Sequence, residues 1–465
     1  MMKRLIAKEW LELRRDGSFW MLLVILALLA VGAVLGAAEQ ARVQHEAWHA
    51  ASAGERERWL QQEDKHPHSA AHYGLYAFRP AAPLAFFEPG LHPYLPVTVW
   101  LEAHRQNEAL YRPAQDAGSA GRFGQLTPAT IVTALLPLLV VLLAAPAIAG
   151  ERERGTLRLL MAQGVAPGRW VLGKALALSV LLLLLLLPLW LLATAVLMFA
   201  AAETDALLRW LGTGVVVSLY LGGFLLICLL VSACCRTVRG ALLILLGLWA
   251  LGTLVAPRIV MEWAEWRHPT PTSLAFRQAI ADDLGATAEL DAMLAQRTAA
   301  LLKEHEVERT SDLPVNLDGI RLQVGEEHGY AVFDEHFGRL HDGFLAQESL
   351  LQRFGLIAPY LAVTSATTAL AGTDLLHYRH FFDSAEQYRR TIQALMNDYI
   401  TRHPEQDGQR LSAGADLWAT VPEFSYEGLR VSNALLSQAS ALTVLVLWFL
   451  VPGLGLLRVA PRLAP

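Results

Sequence analysis

Charge is scarce in this chain: Asp, Glu, Lys and Arg make up 17% of its residues, against 54% that are hydrophobic. Soluble domains carry about 25% charged residues, so the balance points to a membrane protein before any motif is read. There is no long basic run and the formal charge is -5, which sets nucleic acid aside as a partner. Cysteine is nearly absent. Cys228, Cys234 and Cys235 all close one apolar block, so the hydrophilic segments fold without disulfides. Internal repeats and low-complexity linkers are also missing. Finally, the interiors of the apolar blocks hold no Asp, Glu, Lys, Arg or His, with Lys174 only at an edge. Ionisable groups inside a membrane mark proton and ion pathways, so their absence argues against a proton-coupled carrier.

What is present is apolar sequence gathered into blocks. Six of them, at about 18–38, 127–150, 171–202, 210–235, 240–257 and 433–457, reach the length a helix needs to cross roughly 30 Å of hydrocarbon. The first runs uncharged from Ser18 to Ala38, too long for the apolar region of a cleaved leader, and is read as a retained span. Basic residues cluster at the N-terminus (Lys3, Arg4, Lys8, Arg14, Arg15), in the 151–169 loop (Arg152, Arg154, Arg158, Arg169), at Arg236 and Arg239, and in the tail (Arg458, Arg462). A six-span path puts all four clusters on one side, so both termini are expected in the cytoplasm. The hydrophilic stretches 39–126 and 258–432 then share the opposite side and are expected to pack into one extracytoplasmic domain.

The expected fold is therefore an all-α polytopic membrane protein. It has an N-terminal amphipathic interfacial helix at 1–17, a first span at 18–38 and an extracytoplasmic segment at 39–126. A four-span core at 127–257 carries a cytoplasmic loop at 151–169. A large extracytoplasmic segment at 258–432 precedes the last span and tail at 433–465. The outer domain is expected to be mainly helical with minor β. Leu290, Met293, Leu294, Leu301 and Leu302 share a helical face, as do Phe333, Phe337, Leu340 and Phe344, and then Tyr388, Ile392, Leu395 and Tyr399. Ser384 with Gln387 reads as a capping box opening the last of these helices. Between His66 and Asn107, Pro80, Pro83, Phe86, Phe87, Pro89, Pro93 and Pro96 argue for loops and short strands. The block Gly355–Gly372 is uncharged but dilute and broken by Pro359, which predicts a buried or membrane-dipping element rather than a seventh span.

Two segments carry functional signals. Before the first span, Met2, Leu5, Ile6, Trp10 and Leu13 fall on one helical face and Lys3, Arg4, Lys8, Glu12 and Arg15 elsewhere, which suits a helix lying among lipid headgroups. The plainer reading is a charged flank. After the second span comes Gly150, then Glu151, Arg152, Glu153, Arg154, Gly155, Thr156 and Leu157, followed by Leu159, Leu160 and Met161 and by Pro167, Gly168, Gly173 and Lys174. A short helix with alternating carboxylates and guanidiniums beside an apolar stripe can dock in a partner's groove. Alone, it is equally an ordinary charged loop.

The stretch Glu151–Lys174 resembles the ERERGTL signature of ABC-2-type exporter permeases, and the six spans and amphipathic N-terminus agree with that family. The resemblance implies that this loop is the coupling helix contacting a separate ATPase, through Glu151, Arg152, Glu153, Arg154, Gly155, Thr156 and Leu157. Further segments are similar to a bacterial subfamily with a large extracytoplasmic domain of unknown function, itself distantly similar to gliding-motility-type permeases. These are Tyr73–Phe78 with Pro83 and Leu84, Trp100–His104, Leu370–Asp374, Phe381 and Phe382, and Ala385–Arg389. The implied setting is a bacterial inner membrane with the large domain periplasmic. The implied partners are ABC ATPase subunits, two of them, a second permease, identical or paralogous, and membrane lipid. Plainer members have short outer loops and a re-entrant helix pair before the last span, whereas here the whole of 258–432 intervenes.

Other motifs are weaker. Gly168 to Ala175 nearly spells a phosphate-binding loop, but such a loop follows a strand and ends in Ser or Thr, and Ala175 starts a membrane helix. ATP and magnesium accordingly belong to the partner, and no cofactor is assigned to this chain. His45, Glu46 and His49 match a zinc-protease pattern, with Glu55, Glu57 and Glu63 downstream, yet so short a pattern recurs by chance. His66, His68 and His72, and then His377 and His380, are histidine-rich, but loop-edge histidines are usually solvated. No catalytic residue and no metal ligand are assigned. The sequence therefore predicts a permease that couples a partner's ATP hydrolysis to export of an amphipathic, lipidic or peptide-like substrate. The alternatives are a permease relaying ATPase strokes to an envelope partner and, remotely, a membrane metalloprotease using His45, Glu46 and His49.

Overall fold

The computed structural model describes residues 7, 8, 10, 11, 15, 17–112, 126–200, 203–404 and 411–463. Among the described residues, six helices are long and apolar enough to cross a membrane. The first, α1 (Gly17–Leu60), runs 44 residues without a break. Its uncharged half exposes Met21, Val24, Ile25 and Leu28, as a lipid-facing helix does. Its polar half ends at a fully buried Trp59, whose indole N–H donates to the Trp418 carbonyl at 2.9 Å. The span expected at 18–38 is thus the first part of a helix that continues into the large domain.

After α1 come α2 (Pro67–Tyr73) and a small antiparallel sheet, β1 (Leu75–Phe78), β2 (Thr98–Glu102) and β3 (Arg105–Gln106), in the order β1-β2-β3. Leu75 pairs with Leu101 and Ala77 with Val99, so one face of the sheet is apolar and buried. These strands lie in the proline- and aromatic-rich segment where short strands were expected.

The remaining spans are α3 (Pro128–Glu153), α5 (Pro167–Ala200), α6 (Thr204–Cys234), α7 (Val238–Arg267) and α15 (Ala439–Val459). A short α4 (Thr156–Ala162) joins α3 to α5. In α3 and α7 a π turn, Ile131–Leu135 and Leu251–Val255, ends two residues before a proline, Pro137 and Pro257. Proline has no N–H and its ring crowds the carbonyl four residues back, so the regular ladder is broken there. The neighbouring spans satisfy the loosened carbonyls of α3: the Tyr220 hydroxyl donates to Thr133 at 2.9 Å and the Trp249 indole to Ala134 at 3.0 Å. The middle of α6 meets α15 at Gly222 and Gly223; a Cβ on Gly223 would stand 2.7 Å from the Trp448 carbonyl oxygen. Small residues of this kind let membrane helices approach backbone to backbone.

The large domain contains α8 (Ser273–Leu284), α9 (Thr287–Glu304), α10 (Leu317–Phe354), α12 (Leu375–Arg402) and the short α13 (Ala415–Thr420). Its core joins Trp59, Leu75, Val99 and Leu101 to Phe333, Phe337, Phe381, Phe382, Met396 and Trp418, so both hydrophilic stretches build one interior. Leu290, Met293, Leu294 and Leu301 pack on Ile320 and Val324 in a smaller cluster. The expected capping box at Ser384 is corrected. The helix opens at Leu375, where Asp374 accepts the His377 amide at 3.1 Å, and Ser384 sits inside it with its hydroxyl on the His380 carbonyl. The aromatic stripe of Tyr378, Phe381 and Phe382 extends the helix beyond the polar-capped start.

Between α10 and α12, the dilute block forms α11 (Pro359–Ala371), ended by Gly372 in the left-handed conformation at φ 77°. Its 13 residues reach only about 20 Å, too short to cross hydrocarbon. It is buried against α6 and α15 through Ala362, Val363, Ala366 and Leu370. A last short helix, α14 (Val431–Ser437), leads into α15.

Candidate functional site

The Glu–Arg–Glu–Arg run does not lie on the short connecting helix. Glu151, Arg152 and Glu153 complete the last turn of α3, Gly155 reverses the chain in the left-handed conformation at φ 75°, and only then does α4 begin. Glu151 and Arg152 turn inward, while Glu153, though exposed, is tied to a neighbouring helix. The Glu151 carboxylate is buried and takes the Lys8 ammonium at 2.6 Å, the Lys174 ammonium at 3.4 Å and the Thr156 hydroxyl. Lys174 is itself buried and lies 5.3 Å from the centre of the Trp170 ring. Arg152 donates to the Ala233 carbonyl at 2.8 Å and to that of Cys235, which are the unpaired carbonyls at the end of α6. Glu153 accepts the Val238 amide at 2.9 Å, at the start of α7.

One turn deeper, the Ser232 hydroxyl donates to the Ala145 carbonyl at 2.7 Å and accepts the Ile148 and Ala149 amides at 3.1 and 3.0 Å. The junction therefore binds the N-terminal segment, α3, α5, α6 and α7 together. Outward from it point Arg154, Arg158 and Leu159, the last 64% exposed, while Leu157 is buried.

At the opposite end of α6 stands a second anchor that the sequence reading missed. α6 begins at Thr204, ahead of the expected 210, and so takes in Asp205 and Arg209. Arg209 is 1% exposed. It pairs with Asp205 at 2.6 Å and donates to the Ala369 and Leu370 carbonyls at the end of α11 and to the Leu429 carbonyl before α14. Asp205 in turn accepts the Val431 amide at 2.9 Å. The signal was an arginine one residue outside the apolar block. α6 is thus fastened to the loop junction at one end and to the large domain at the other.

Residues 81–218, which contain Glu151–Lys174 and the start of α6, match the family described as ABC-2 membrane transporter related. That part of the membrane core is similar to the ABC-2 membrane family. Residues 273–427 match a domain of unknown function, DUF3526, and this region coincides with the helical part of the permease's large domain. No curated protein and no solved structure matches the chain. Membrane subunits of that family generally partner ABC ATPase subunits.

Other sequence candidates fall as follows in the permease. Of the interfacial-helix residues, Met2, Leu5, Ile6 and Leu13 lie outside the described residues; Trp10 is helical and exposed. Gly168 to Ala175 lies in the opening turns of α5, with no strand before it and Lys174 held by Glu151. His45 and His49 approach to 3.0 Å on the exposed side of α1, but Glu46 is bound to Arg42 at 2.5 Å and Glu55 to Arg58 and the Tyr76 amide. No third ligand joins that pair among the described residues. His66 caps α2, its Nδ1 accepting the His68 amide, while His377 is bound to Asp374 and His380 to Tyr426. By contrast, His68 and His72 meet His104, a residue the sequence did not connect with them. Burial, then the neighbouring His72 and His104, pull His68 down to about 4.

The large domain also buries charge. Arg389 is fully buried and holds Glu386 through two bonds, at 2.8 and 2.9 Å, and Glu326 at 3.0 Å. Burial opposes ionisation of Glu326, but the His104 hydrogen bond and the Arg389 charge hold it below the usual carboxylate range. Among the described residues, no cation pairs with Glu88. Burial pushes it up to about 7, against partial relief from the Gly90 amide and the Thr367 hydroxyl.

Proposed function

We propose that this chain is the permease subunit of an ABC exporter in a bacterial inner membrane, with both termini cytoplasmic and the large domain periplasmic. Two such permeases, identical or paralogous, pair above two ATPase subunits, which bind and hydrolyse the ATP and hold its magnesium. ATP-driven closure presses on α4 and the end of α3, tilts the spans and opens a path for an amphipathic, lipidic or peptide-like substrate. The observation that supports this most is the Lys8–Glu151–Lys174 junction with Arg152 on the end of α6. Force applied at Arg154, Arg158 and Leu159 enters an element already bonded to four neighbouring segments.

The test is co-purification with the ATPase of the same transporter, followed by ATP turnover and substrate uptake in vesicles. Leu159→Asp and Arg158→Glu should abolish co-purification while leaving the permease folded. Unchanged assembly and turnover in both variants would overturn the reading.

A second reading, in which the stroke is relayed to an envelope partner and nothing crosses this chain, draws support from the Arg209 clamp between α6 and the large domain. Turnover stimulated by a lipidic or peptide substrate in nanodiscs favours export. Stimulation only by an envelope protein favours the relay.

A further inference from the structure

His68 and His72 stand one turn apart on α2, with their Nε2 atoms 3.2 Å apart. His104 comes from the turn between β2 and β3, its ring 5.1 and 5.2 Å from the other two. One ligand atom from each of the three lies within 4.8 Å of the others. Nitrogens bound tetrahedrally at about 2.0–2.1 Å from an ion stand about 3.3 Å apart, so the α2 pair is already spaced for a shared metal.

Two further observations concern His104. It is a non-glycine residue at φ 61°, a left-handed backbone that costs on the order of 1 kcal/mol or more and is held only where the surroundings enforce it. What enforces it is Glu326, which accepts the His104 amide at 2.7 Å and lies 2.9 Å from its Nδ1. A carboxylate on Nδ1 fixes the tautomer with Nε2 as the free ligand atom, the arrangement that orients metal-binding histidines. Glu326 is itself fixed by the buried Arg389, so the orientation is set from the domain core. His72 and His104 are exposed and His68 half-buried, which leaves one side of the cluster open to water.

We propose that His68, His72 and His104 bind one divalent late transition-metal ion, Zn2+ or Cu2+, with Glu326 as the positioning residue and a fourth coordination place open to solvent. Three imidazoles without thiolate or carboxylate ligands suit these ions and disfavour the oxygen-seeking Mg2+ and Ca2+. The ligands all come from the first hydrophilic stretch and the positioning carboxylate from the second, so the ion tightens the seam between them. The site does not depend on whether the chain moves a substrate.

The experiment uses the full chain in detergent, stripped of metal, with Zn2+ titrated against a chromophoric chelator and Cu2+ followed by electron paramagnetic resonance. One ion per chain is expected, with nitrogen hyperfine structure for Cu2+ and a rise in Tm on adding Zn2+. His72→Ala, at an exposed position, should weaken Zn2+ binding at least about tenfold while the metal-free Tm stays near that of the parent; His104→Ala should weaken it as much, with a lower metal-free Tm because Glu326 loses a partner. Glu326→Gln should weaken binding by about 10- to 100-fold with all three ligands present. The paired variant His45→Ala with His49→Ala should bind as the parent does. The proposal is overturned if the parent binds no more tightly than a variant lacking His68, His72 and His104, or if loss of His45 and His49 removes the ion instead. No effect of Glu326→Gln, in a variant that keeps its Tm, would overturn the positioning role.

Discussion

Single buried charges carry much of the large domain's specificity. Arg389 answers two carboxylates, Glu386 and Glu326, and also reaches the Glu102 carbonyl at 3.2 Å. Replacing it with methionine keeps most of the volume but leaves buried Glu326 with only the His104 imidazole and Glu386 with only Arg390. A loss of about 3–5 kcal/mol is expected, read as a fall in Tm in detergent, and lysine should not restore the two-pronged contact to Glu386. Glu88 poses the opposite case. Its carboxyl ionises near 4.5 in an unfolded chain and at about 7 in the folded one, so between those values the folded state holds a proton that the unfolded state has lost. The stabilising contribution is therefore full below about 4.5 and disappears as pH rises through about 7. Glu88→Gln should match the parent at pH 4 and exceed it above pH 7, by at most about 3 kcal/mol, in Tm measured across pH. A constant offset at every pH would contradict the burial argument.

Among the elements, α6 has the most demanding sequence. It presents Gly222 and Gly223 to α15, Tyr220 to the proline-loosened turn of α3, Ser232 to the turn after Pro146, and Arg209 to α11. Ser232→Val preserves shape yet removes three hydrogen bonds at the junction. Since each such bond contributes about 0.5–1.5 kcal/mol, ATPase co-purification should persist while ATP turnover loses its coupling to uptake, measured in the same vesicles. The spans themselves were legible, because twenty apolar residues in a row have few other uses. The direction of the Glu151 to Arg154 charges was not. Their partners, Lys8, Lys174 and the end of α6, are remote in sequence, and an alternating run reads locally as a solvated face. Gly155 was the available clue, since a glycine just past a helix marks where the chain turns away.

Taken whole, the molecule joins a six-helix core to a domain that shares α1, α6 and α7 with it rather than hanging from a linker. Arg209→Gln should leave assembly and ATP turnover near normal while erasing the nucleotide-dependent change in hydrogen exchange at α11 and α14; retention of that change would show that α6 is not the link. His104 illustrates why the domain's chemistry stayed hidden: nothing near it in sequence connects it to α2, and only the hairpin between β2 and β3 brings it there.

The unbroken course of α1 sets the scale of what such a machine can do. At about 1.5 Å per residue its 44 residues form a rod of about 66 Å, planted in lipid at one end and locked by Trp59 against Trp418 at the other. Pivoted near its foot, a lean of about 5° sweeps the far tip through about 6 Å, comparable to one helical turn. A shift too small to see among the membrane helices thus becomes, by leverage alone, a displacement large enough to reseat whatever docks on the summit.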